Sequence, residues 1–516
     1  MTSSAAPFLR PNAVRIHAAD NVAVAIHPLE AGAIIEVEGA RVVLREPIAA
    51  GHKVALRALD AGEPVVKYGF PIGALTAPVV AGEWVHSHNL KTRLEGMQEY
   101  TYEPSTTPAH VGREASGVAM PTFEGYRRSD GRVGTRNDVW ILNTVGCVNF
   151  VAEGIAKSTN ARLAERGASS ATMDGVHAFG HPFGCSQLGD DLQHTQAVLA
   201  GLLRNPNAGG VLVLGLGCEN NQMDALLSRA GEVDRSRIRF FNSQDVMDER
   251  EAGADAVGEL IERMRDDRRV TVPASELVIG HKCGGSDGFS GISANALVGR
   301  IADRLAGLGG GVLLTEVPEM FGAEQLLMNR ATSEPVFRQL VAMINDFKAY
   351  FIRHGQSIYE NPSPGNKAGG LTTLEEKSLG AIQKGGQAPV TRVLRYGEPA
   401  APGGLTLLEA PGNDGVSCTA MTASGATMLL FTTGRGTPLG FPVPTVKISS
   451  NSEIAAKKPH WIDFNAGALL DGTRDMDEMA DELFAYVLDV ASGRARTNNE
   501  LHGYREIAIW KDGVTL

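Results

Sequence analysis

The sequence predicts an α/β protein with a small all-β module at its N-terminus, a central domain on a parallel sheet, and a smaller C-terminal α/β domain. Two patterns support this prediction. Short β-branched segments separated by glycine-containing turns fill residues 12–92, whereas from residue 121 apolar runs alternate with helical patterns. At roughly 100–200 residues per domain, the 516 residues suggest two to four domains.

The N-terminal module comes first along the chain. Near-alternate apolar residues, as in AIIEV and GHKVAL, predict half-buried strands, and Gly32, Gly51 and Gly62 mark the turns between them. Residues 93–120 have weak periodicity, two prolines and several Ser and Thr residues. This segment is predicted to be a linker.

Residues 121–386 are predicted to form the central α/β domain. Five apolar runs there each end in a glycine-rich turn and lead into a helix: VWILNTVGCVN, GVHAFGHPFGCSQ, GGVLVLGLGCENN, ELVIGHKCGGSDGFS and GGGVLLTEVPEM. That order is typical of a parallel sheet, in which ligands bind beyond the carboxyl ends of the strands. Residues 387–516 repeat the alternation and are predicted to form a separate C-terminal α/β domain.

Composition excludes several function classes. The formal charge is −11 with no basic run, which argues against nucleic acid as a partner, and no apolar stretch is long enough for a membrane span. Residues 1–11 lack the apolar segment of a secretory signal, so a cytoplasmic location is expected. Five scattered cysteines are a poor disulfide framework and are expected to be free thiols.

Four cysteines occupy strand-end turns, where side chains from several strands can converge. They are Cys147, Cys185, Cys218 and Cys283. Thiolates with a nearby imidazole suit iron or zinc, and His181 lies four residues before Cys185. A single cysteine is more often a packing residue, so the group carries more weight than each member. Cys418 lacks such neighbours and is interpreted as structural.

Other polar residues suggest proton transfer and anion binding. His52 and Lys53 in GHK are candidate proton-transfer groups, with exposed turn histidines as an equally weighted interpretation. The loop NPSPGNKAGG offers Asn366 and Lys367 before a helix, and FTTGRGTP offers Arg435 between glycines. Neither loop is a P-loop or a Rossmann fingerprint, so a hydroxyl-rich anionic small molecule fits better than a nucleotide.

One arginine-rich segment, GYRRSDGRVGTRND, opens the central domain. It is either a plain surface hairpin or a loop from which Arg128 or Arg136 closes a substrate pocket. We include Arg136 with Lys367, Arg435 and Asn366 among the substrate-binding candidates.

With these motifs, the chain closely resembles the altronate/galactarate dehydratase family. The resemblance runs from HAADNVAVA and KYGFPIG through GCSQLGDD, KCGGSDGFSGISAN and TEVPEMFGAEQLLM to NSEIAAKKPHWIDF. It covers nearly the whole chain apart from the first dozen residues. It implies that the N-terminal module is an SAF domain, that the activity is dehydration of a six-carbon sugar acid to a 2-keto-3-deoxy acid, and that iron(II) is the cofactor.

The substrate and site follow as expectations. EVPEMFGAEQ, GCSQLGDD and AAKKPHWIDF resemble the altronate branch, so D-altronate is the first substrate, with galactarate or another sugar acid as the alternative. A non-catalytic sugar-acid-binding protein and a homodimer are also left open. Iron(II), replaceable by manganese(II), is assigned to four residues with Cys218 in reserve: Cys147, His181, Cys185 and Cys283. The alternative cofactor is a 4Fe-4S cluster on three of the four strand-end cysteines.

Overall fold

The computed structural model describes residues 12–38, 40–105, 120–165, 173–513 and 515. The expectation about residues 1–11, and the part of the predicted linker at 106–119, lie outside the described residues. Residues 93–105 lie against the C-terminal half of the chain, where the Tyr100 hydroxyl donates to Glu324 over 2.5 Å. No helix in the described ranges has the length and apolar character needed to cross a membrane.

The N-terminal module is all-β, as predicted. Alternation sets its faces: in Ile34–Val37, Ile35 and Val37 are buried while Ile34 and Glu36 are exposed. The strands pair antiparallel in sheets of four, two and three strands, in the orders β1-β2-β5-β8, β3-β4 and β6-β7-β9. The strands are β1 Ala13–Val14, β2 Val22–Ala25, β3 Ile34–Val37, β4 Ala40–Val43, β5 Lys53–Ala55, β6 Pro64–Lys67, β7 Phe70–Leu75, β8 Trp84–Val85 and β9 Leu90–Lys91.

A four-stranded parallel sheet follows, in the order β13-β12-β14-β15. Its β12 is buried along its full length because helices cover both faces, which explains the unbroken apolar run in the sequence. A small antiparallel sheet, β11-β10-β16, adjoins it. The elements are β10 Thr122–Arg127, β11 Val133–Gly134, β12 Asp138–Asn143, α1 Asn149–Glu165, β13 Gly175–Phe179, α2 Gly189–Leu203, β14 Ala208–Gly215, α3 Met223–Ala230, β15 Ile238–Asn242, α4 Glu249–Met264 and β16 Val270–Pro273.

The rest of the chain forms one seven-stranded parallel sheet, in the order β19-β20-β18-β17-β21-β22-β23. Its strands are β17 Val278–Cys283, β18 Gly311–Leu314, β19 Val390–Leu394, β20 Gly404–Leu408, β21 Met428–Thr433, β22 Thr445–Ser449 and β23 Phe464–Asn465. Its helices are α5 Ala294–Gly307, α6 Glu324–Met328, α7 Glu334–Arg353, α8 Pro364–Ala368, α9 Leu374–Ala381, α10 Asp414–Ala423, α11 Ser452–Lys457, α12 Met476–Ala491 and α13 Asn498–His502.

The expected domain boundary between residues 386 and 387 falls inside this sheet and is wrong. Strands β17 and β18 precede the boundary, yet β18 pairs with β20 and β17 with β21, both of which follow it. Apolar runs locate strands along the chain but carry no information about which strands share a sheet. The two parallel sheets also share a hydrophobic core that includes Trp140 and Leu142 from one and Leu429 and Phe431 from the other.

Candidate active site at the carboxyl ends of the seven-stranded sheet

A buried ionic triad fastens the N-terminal module to the seven-stranded domain. Lys53 and Lys67 of the module lie 2.8 and 2.7 Å from the carboxylate of Glu376 on α9, and Lys53 also donates to the Gly370 carbonyl over 2.7 Å. Burial lowers the pKa of Lys53 to about 8. Burial opposes ionisation of Glu376, but the two ammonium groups outweigh it and hold its pKa well below the usual range.

The prediction that Lys53 transfers a proton to or from substrate is therefore wrong in this structure. Its side chain is 0% exposed and its ammonium is bonded to Glu376 and Gly370. These contacts close the ammonium off from solvent. Lys53 instead sets the position of the module.

Two histidines add to this docking surface. His52 and His86 stack with ring centroids 5.0 Å apart, and their Nε2 atoms lie 3.3 and 3.0 Å from the carbonyls of Ala368 and Lys367. The Trp84 indole N–H donates to His52 Nδ1, so His52 carries its proton on Nε2 and both of its nitrogens are engaged. Burial lowers the pKa of both histidines, that of His86 to about 4. The predicted proton-transfer role of His52 is replaced by an anchoring role.

Glycines allow the backbone of the N-terminal module to approach the backbone of the seven-stranded domain closely. Gly51 has φ +81°, and a Cβ there would lie 2.9 Å from the Gly369 carbonyl oxygen. A Cβ on Gly288 or Gly370 would lie 2.1 Å from the Gly51 carbonyl oxygen. Three glycine-rich turns from distant parts of the chain therefore meet backbone to backbone, which only residues without a side chain allow.

A cleft of about 460 Å³ opens beside this contact. One wall comes from the N-terminal module, at residues 26–28 and Ala50, and the other from the loops that follow β17, β21 and β22. Its position beyond the carboxyl ends of parallel strands is where such sheets bind ligands. Its polar lining includes Asp287, Arg435 and Lys457.

Asp287 is the buried carboxylate of the cleft. It accepts hydrogen bonds from the hydroxyls of Ser290 and Ser450, from the Asn451 amide and from the Phe289 N–H, over 2.9 to 3.1 Å. These donors are neutral, and burial raises the pKa of Asp287. A carboxylate of raised pKa in a cleft is suited to accept a proton from carbon. Sequence reasoning missed this residue, although an acidic residue inside the glycine-rich turn KCGGSDG is a signal that could have identified it.

The structure places two of the four predicted substrate-binding residues at or beside the cleft and two away from it. Arg435 is exposed on the cleft wall, and its backbone N–H donates to the Gly285 carbonyl over 2.9 Å, which fixes the loop. Lys367 is half-buried and precedes Ala368 and Gly369, which line the cleft. These two lie at or beside the cleft, so their substrate-binding roles remain predictions.

Asn366 and Arg136 do not face the cleft as substrate ligands, and both predictions need correction. Asn366 is buried and donates to the Ser286 carbonyl over 2.8 Å, which holds its own loop. Arg136 is buried in a two-pronged ion pair with Glu500, over 2.6 and 3.0 Å, and also donates to the Val490 carbonyl. Its guanidinium therefore ties α12 and α13 to the strands that precede the four-stranded sheet.

The four residues assigned to a single iron ion do not form one site. Cys283 ends β17 of the seven-stranded sheet, is buried, and lies 2.6 Å from the Ser286 hydroxyl. His181 lies in the four-stranded domain, where Nε2 contacts the Asn143 carbonyl over 2.8 Å and Nδ1 accepts from the Phe183 N–H. Within the described ranges, no group of three or more His, Cys, Asp and Glu side chains is arranged to hold a metal ion. Cys147 and Cys185 are exposed on loops of the four-stranded sheet.

Three family models together match nearly all of the chain. Residues 11–93 match the altronate/galactarate dehydratase SAF domain, residues 125–265 the second domain of D-galactarate dehydratase/altronate hydrolase, and residues 274–515 the C-terminal domain of D-galactarate/altronate dehydratase. The N-terminal module is thus an SAF domain, and the two models that match the rest of the chain are those of hydro-lyases. The chain belongs to the altronate/galactarate dehydratase family.

Similar proteins agree with that assignment. The chain is 50% identical to an altronate dehydratase of Escherichia coli and 48% identical to one of Bacillus subtilis, in each case over 98% of this chain and 99% of the relative. It is 34% identical to a galactarate dehydratase (L-threo-forming) of Escherichia coli, over 96% of both chains.

Proposed function

We propose that this protein dehydrates D-altronate to 2-dehydro-3-deoxy-D-gluconate and water, a step in hexuronate breakdown. The observation that carries the proposal is the difference in similarity: about half of all residues are shared with two altronate dehydratases, against 34% with the galactarate enzyme. Each alignment spans nearly the full length of both chains.

Each step of the dehydration is assigned to a residue that lines the cleft. Asp287 takes the proton from C2 of the sugar acid, the C3 hydroxyl leaves with a proton as water, and the resulting enol tautomerises to the ketone. Arg435 holds the substrate carboxylate, because a guanidinium matches its two oxygens and the charge at C2 grows beside it. The imidazole of His27, which also lines the cleft, is the proposed proton donor to the leaving hydroxyl.

Iron dependence is part of the proposal. The family resemblance implies iron(II), replaceable by manganese(II), and a bound metal would act as a Lewis acid on a substrate oxygen. The four-residue set named from the sequence does not fit a single ion, since its members are divided between two sheets and both His181 nitrogens are engaged. No step above therefore runs through such an ion.

A substrate panel tests the activity. Protein purified without air and supplied with iron(II) is incubated with D-altronate, galactarate and other aldonates, and the 2-keto-3-deoxy acid is measured. We expect turnover of altronate at least tenfold above the other acids. Preferred turnover of galactarate would move the protein to the sister activity, and tight sugar-acid binding with no product from any acid would favour the non-catalytic alternative.

The expected homodimer is tested in the same preparation. Light scattering after size-exclusion chromatography should give twice the mass of one chain. A monomer that turns over altronate at full rate would contradict a dimeric enzyme.

A further inference from the structure

One charged residue interrupts the buried strand β22. Lys447 lies in the middle of Thr445–Ser449, every residue of which is buried, and it is itself 2% exposed. The strand ends beside the cleft, because Asn451, two residues after it, belongs to the cleft lining. None of the steps assigned to the cleft uses this lysine.

Lys447 is a buried cation without a close carboxylate partner. In the part of the chain that the structure describes, no Asp or Glu oxygen lies within 4.0 Å of its Nζ atom, and the carboxylates that act on it from farther away are those of Asp463, Asp414 and Glu506. Burial of an ammonium costs free energy unless a counter-charge and hydrogen bonds offset it. Lys447 therefore weakens the fold relative to an apolar residue of similar length, and its contacts indicate what it contributes instead.

The polar contact of Lys447 is with the loop on the cleft wall. Its ammonium donates to the Thr437 carbonyl over 3.0 Å, and the described residues offer its side chain no second hydrogen bond. Thr437 lies in the loop that follows β21, two residues after Arg435. The buried cation is thus bonded to the same loop that carries the proposed ligand of the substrate carboxylate.

The first half of this loop is held by other groups. The N–H groups of Gly434 and Arg435 donate to the Gly285 carbonyl over 3.1 and 2.9 Å. The Asn451 side-chain amide donates to the Gly434 carbonyl over 3.0 Å. Lys447 anchors the second half of the loop, so the backbone of Arg435 is fixed on both sides.

An aromatic ring connects Lys447 with the turn that carries Asp287. Phe431 is paired with Lys447 across β21 and β22, and the Lys447 Nζ atom lies 5.4 Å from the centroid of the Phe431 ring, a distance at which an ammonium is attracted to the ring face. A Cβ on Gly284 would lie 2.5 Å from the same ring, so the turn packs directly against it. The turn with Asp287 and the loop with Arg435 therefore both contact this pair of side chains.

We propose that Lys447 is a positioning residue that holds the loop 434–437 so that the Arg435 guanidinium meets the substrate carboxylate. The inference rests on the proposed function for the ligand and for the role of Arg435. Lys447 is buried and does not line the cleft, so it acts through the loop. Burial lowers the pKa of Lys447 to about 8, but an uncharged amine still has N–H groups to donate, so the bond to Thr437 does not require the charge.

Hydrogen exchange of Lys447→Met tests the contact with the loop and needs no activity. Methionine is of similar length and removes both the N–H donor and the buried charge, so the melting temperature should stay the same or rise. In substrate-free protein the amides of Gly434, Arg435 and Gly436 should exchange roughly three- to tenfold faster, the effect of one lost hydrogen bond. Unchanged exchange there would overturn the proposal, as would a lower melting temperature with faster exchange throughout the seven-stranded sheet.

Steady-state kinetics on altronate at pH 7 test the consequence for binding. In the iron-supplied protein, Lys447→Met should raise KM roughly three- to tenfold and leave kcat within about twofold of its original value. In an Arg435→Ala background the same change should have no further effect on KM, because a residue that acts through Arg435 has nothing left to position. An unchanged KM in the single variant, or additive increases in the double variant, would overturn the proposal.

Thr445→Val is the matched control. Thr445 lies two residues before Lys447 and so on the same face of β22, is 0% exposed, and donates from its hydroxyl to the Val443 carbonyl over 3.0 Å. This change removes one buried hydrogen bond without touching the loop 434–437, so KM and loop exchange should not change. Equal effects of the two variants would contradict a specific role for Lys447.

The two arginine and lysine variants also separate this inference from the proposed function. Faster loop exchange in Lys447→Met with an unaltered altronate KM in Arg435→Ala would refute the substrate role of Arg435 and leave the loop contact. A raised KM in Arg435→Ala with unchanged loop exchange in Lys447→Met would refute the role of Lys447 and leave that of Arg435.

Discussion

Glu376→Gln removes the one negative charge of the buried triad. The carboxylate accepts from Lys53 and Lys67, and Thr372 donates to it through its N–H over 2.9 Å and its hydroxyl over 2.6 Å. Gln keeps the shape and an acceptor oxygen but leaves two ammonium groups at 0% and 1% exposure without a counter-charge. Breaking a buried pair in this way costs about 3–5 kcal/mol. The loss acts on docking of the N-terminal module, since the two lysines belong to the module and Glu376 to α9.

Hydrogen exchange measures this loss directly. A cost of about 3–5 kcal/mol raises the opening constant of amides in residues 13–94 by roughly two to four orders of magnitude. The loss should shrink at pH 9 to 10, because the lysines can then give up their protons. Lys53→Met is the matched control: it leaves Glu376 paired one to one with Lys67, so we expect less than half the cost. A Glu376→Gln effect below tenfold, or one equal to that of Lys53→Met, would refute the reasoning.

Two further predictions concern the cleft. Asp287→Asn should lower kcat about 10²–10⁴-fold with little change in KM, measured by steady-state kinetics on altronate, because the amide cannot take the C2 proton; unchanged kcat would remove Asp287 from the mechanism. Arg435→Ala should raise KM by roughly ten- to a hundredfold through loss of a charge-assisted bond. Arg136→Met should leave KM unchanged and lower stability by about 3 kcal/mol, because the buried Glu500 loses its two-pronged partner and keeps only the 3.6 Å contact with the more exposed Arg496. The same KM increase in both arginine variants would contradict the assignment of Arg435 to substrate binding and of Arg136 to a structural ion pair.

Local sequence patterns predicted the parallel strands well. The buried runs at β12, β14, β17 and β21 follow directly from their unbroken apolar character, because strands covered on both faces need no polar alternation. The glycine-rich turns after them lie at the carboxyl ends of the strands, and the cleft opens beside those of the seven-stranded sheet. The positions of strands and turns are local properties of the chain.

The roles of charged side chains were not predictable in the same way. Lys53 and Glu376 are 323 residues apart in sequence, and Arg136 and Glu500 are 364 apart. A lysine or arginine in a polar motif has the same local signature whether it meets a substrate or a buried carboxylate from a distant helix. The role of such a side chain depends on the group that it contacts, and only the folded structure brings that group into contact with it. Asp287 was missed for the converse reason, since its partners Ser450 and Asn451 come from a distant strand end.

The triad also bears on how a protein of net charge −11 binds an anion. Two lysines against one glutamate leave one positive charge inside, and Lys53 bonds to Gly370, beside the Gly369 that lines the cleft. Because the pKa of Lys53 is about 8 in the folded protein, below its ordinary 10.5, this charge disappears as pH rises through 8. Altronate KM should then rise between pH 7 and 9. The stability of the fold should increase while substrate binding weakens. Between pH 8 and 10.5 the unfolded chain binds more protons at Lys53 than the folded chain does, so the contribution of Lys53 to the free energy of unfolding increases as pH rises. Lys53→Met should abolish the rise in KM while retaining kcat, and a pH-dependent KM that persists in that variant would place the titrating group elsewhere.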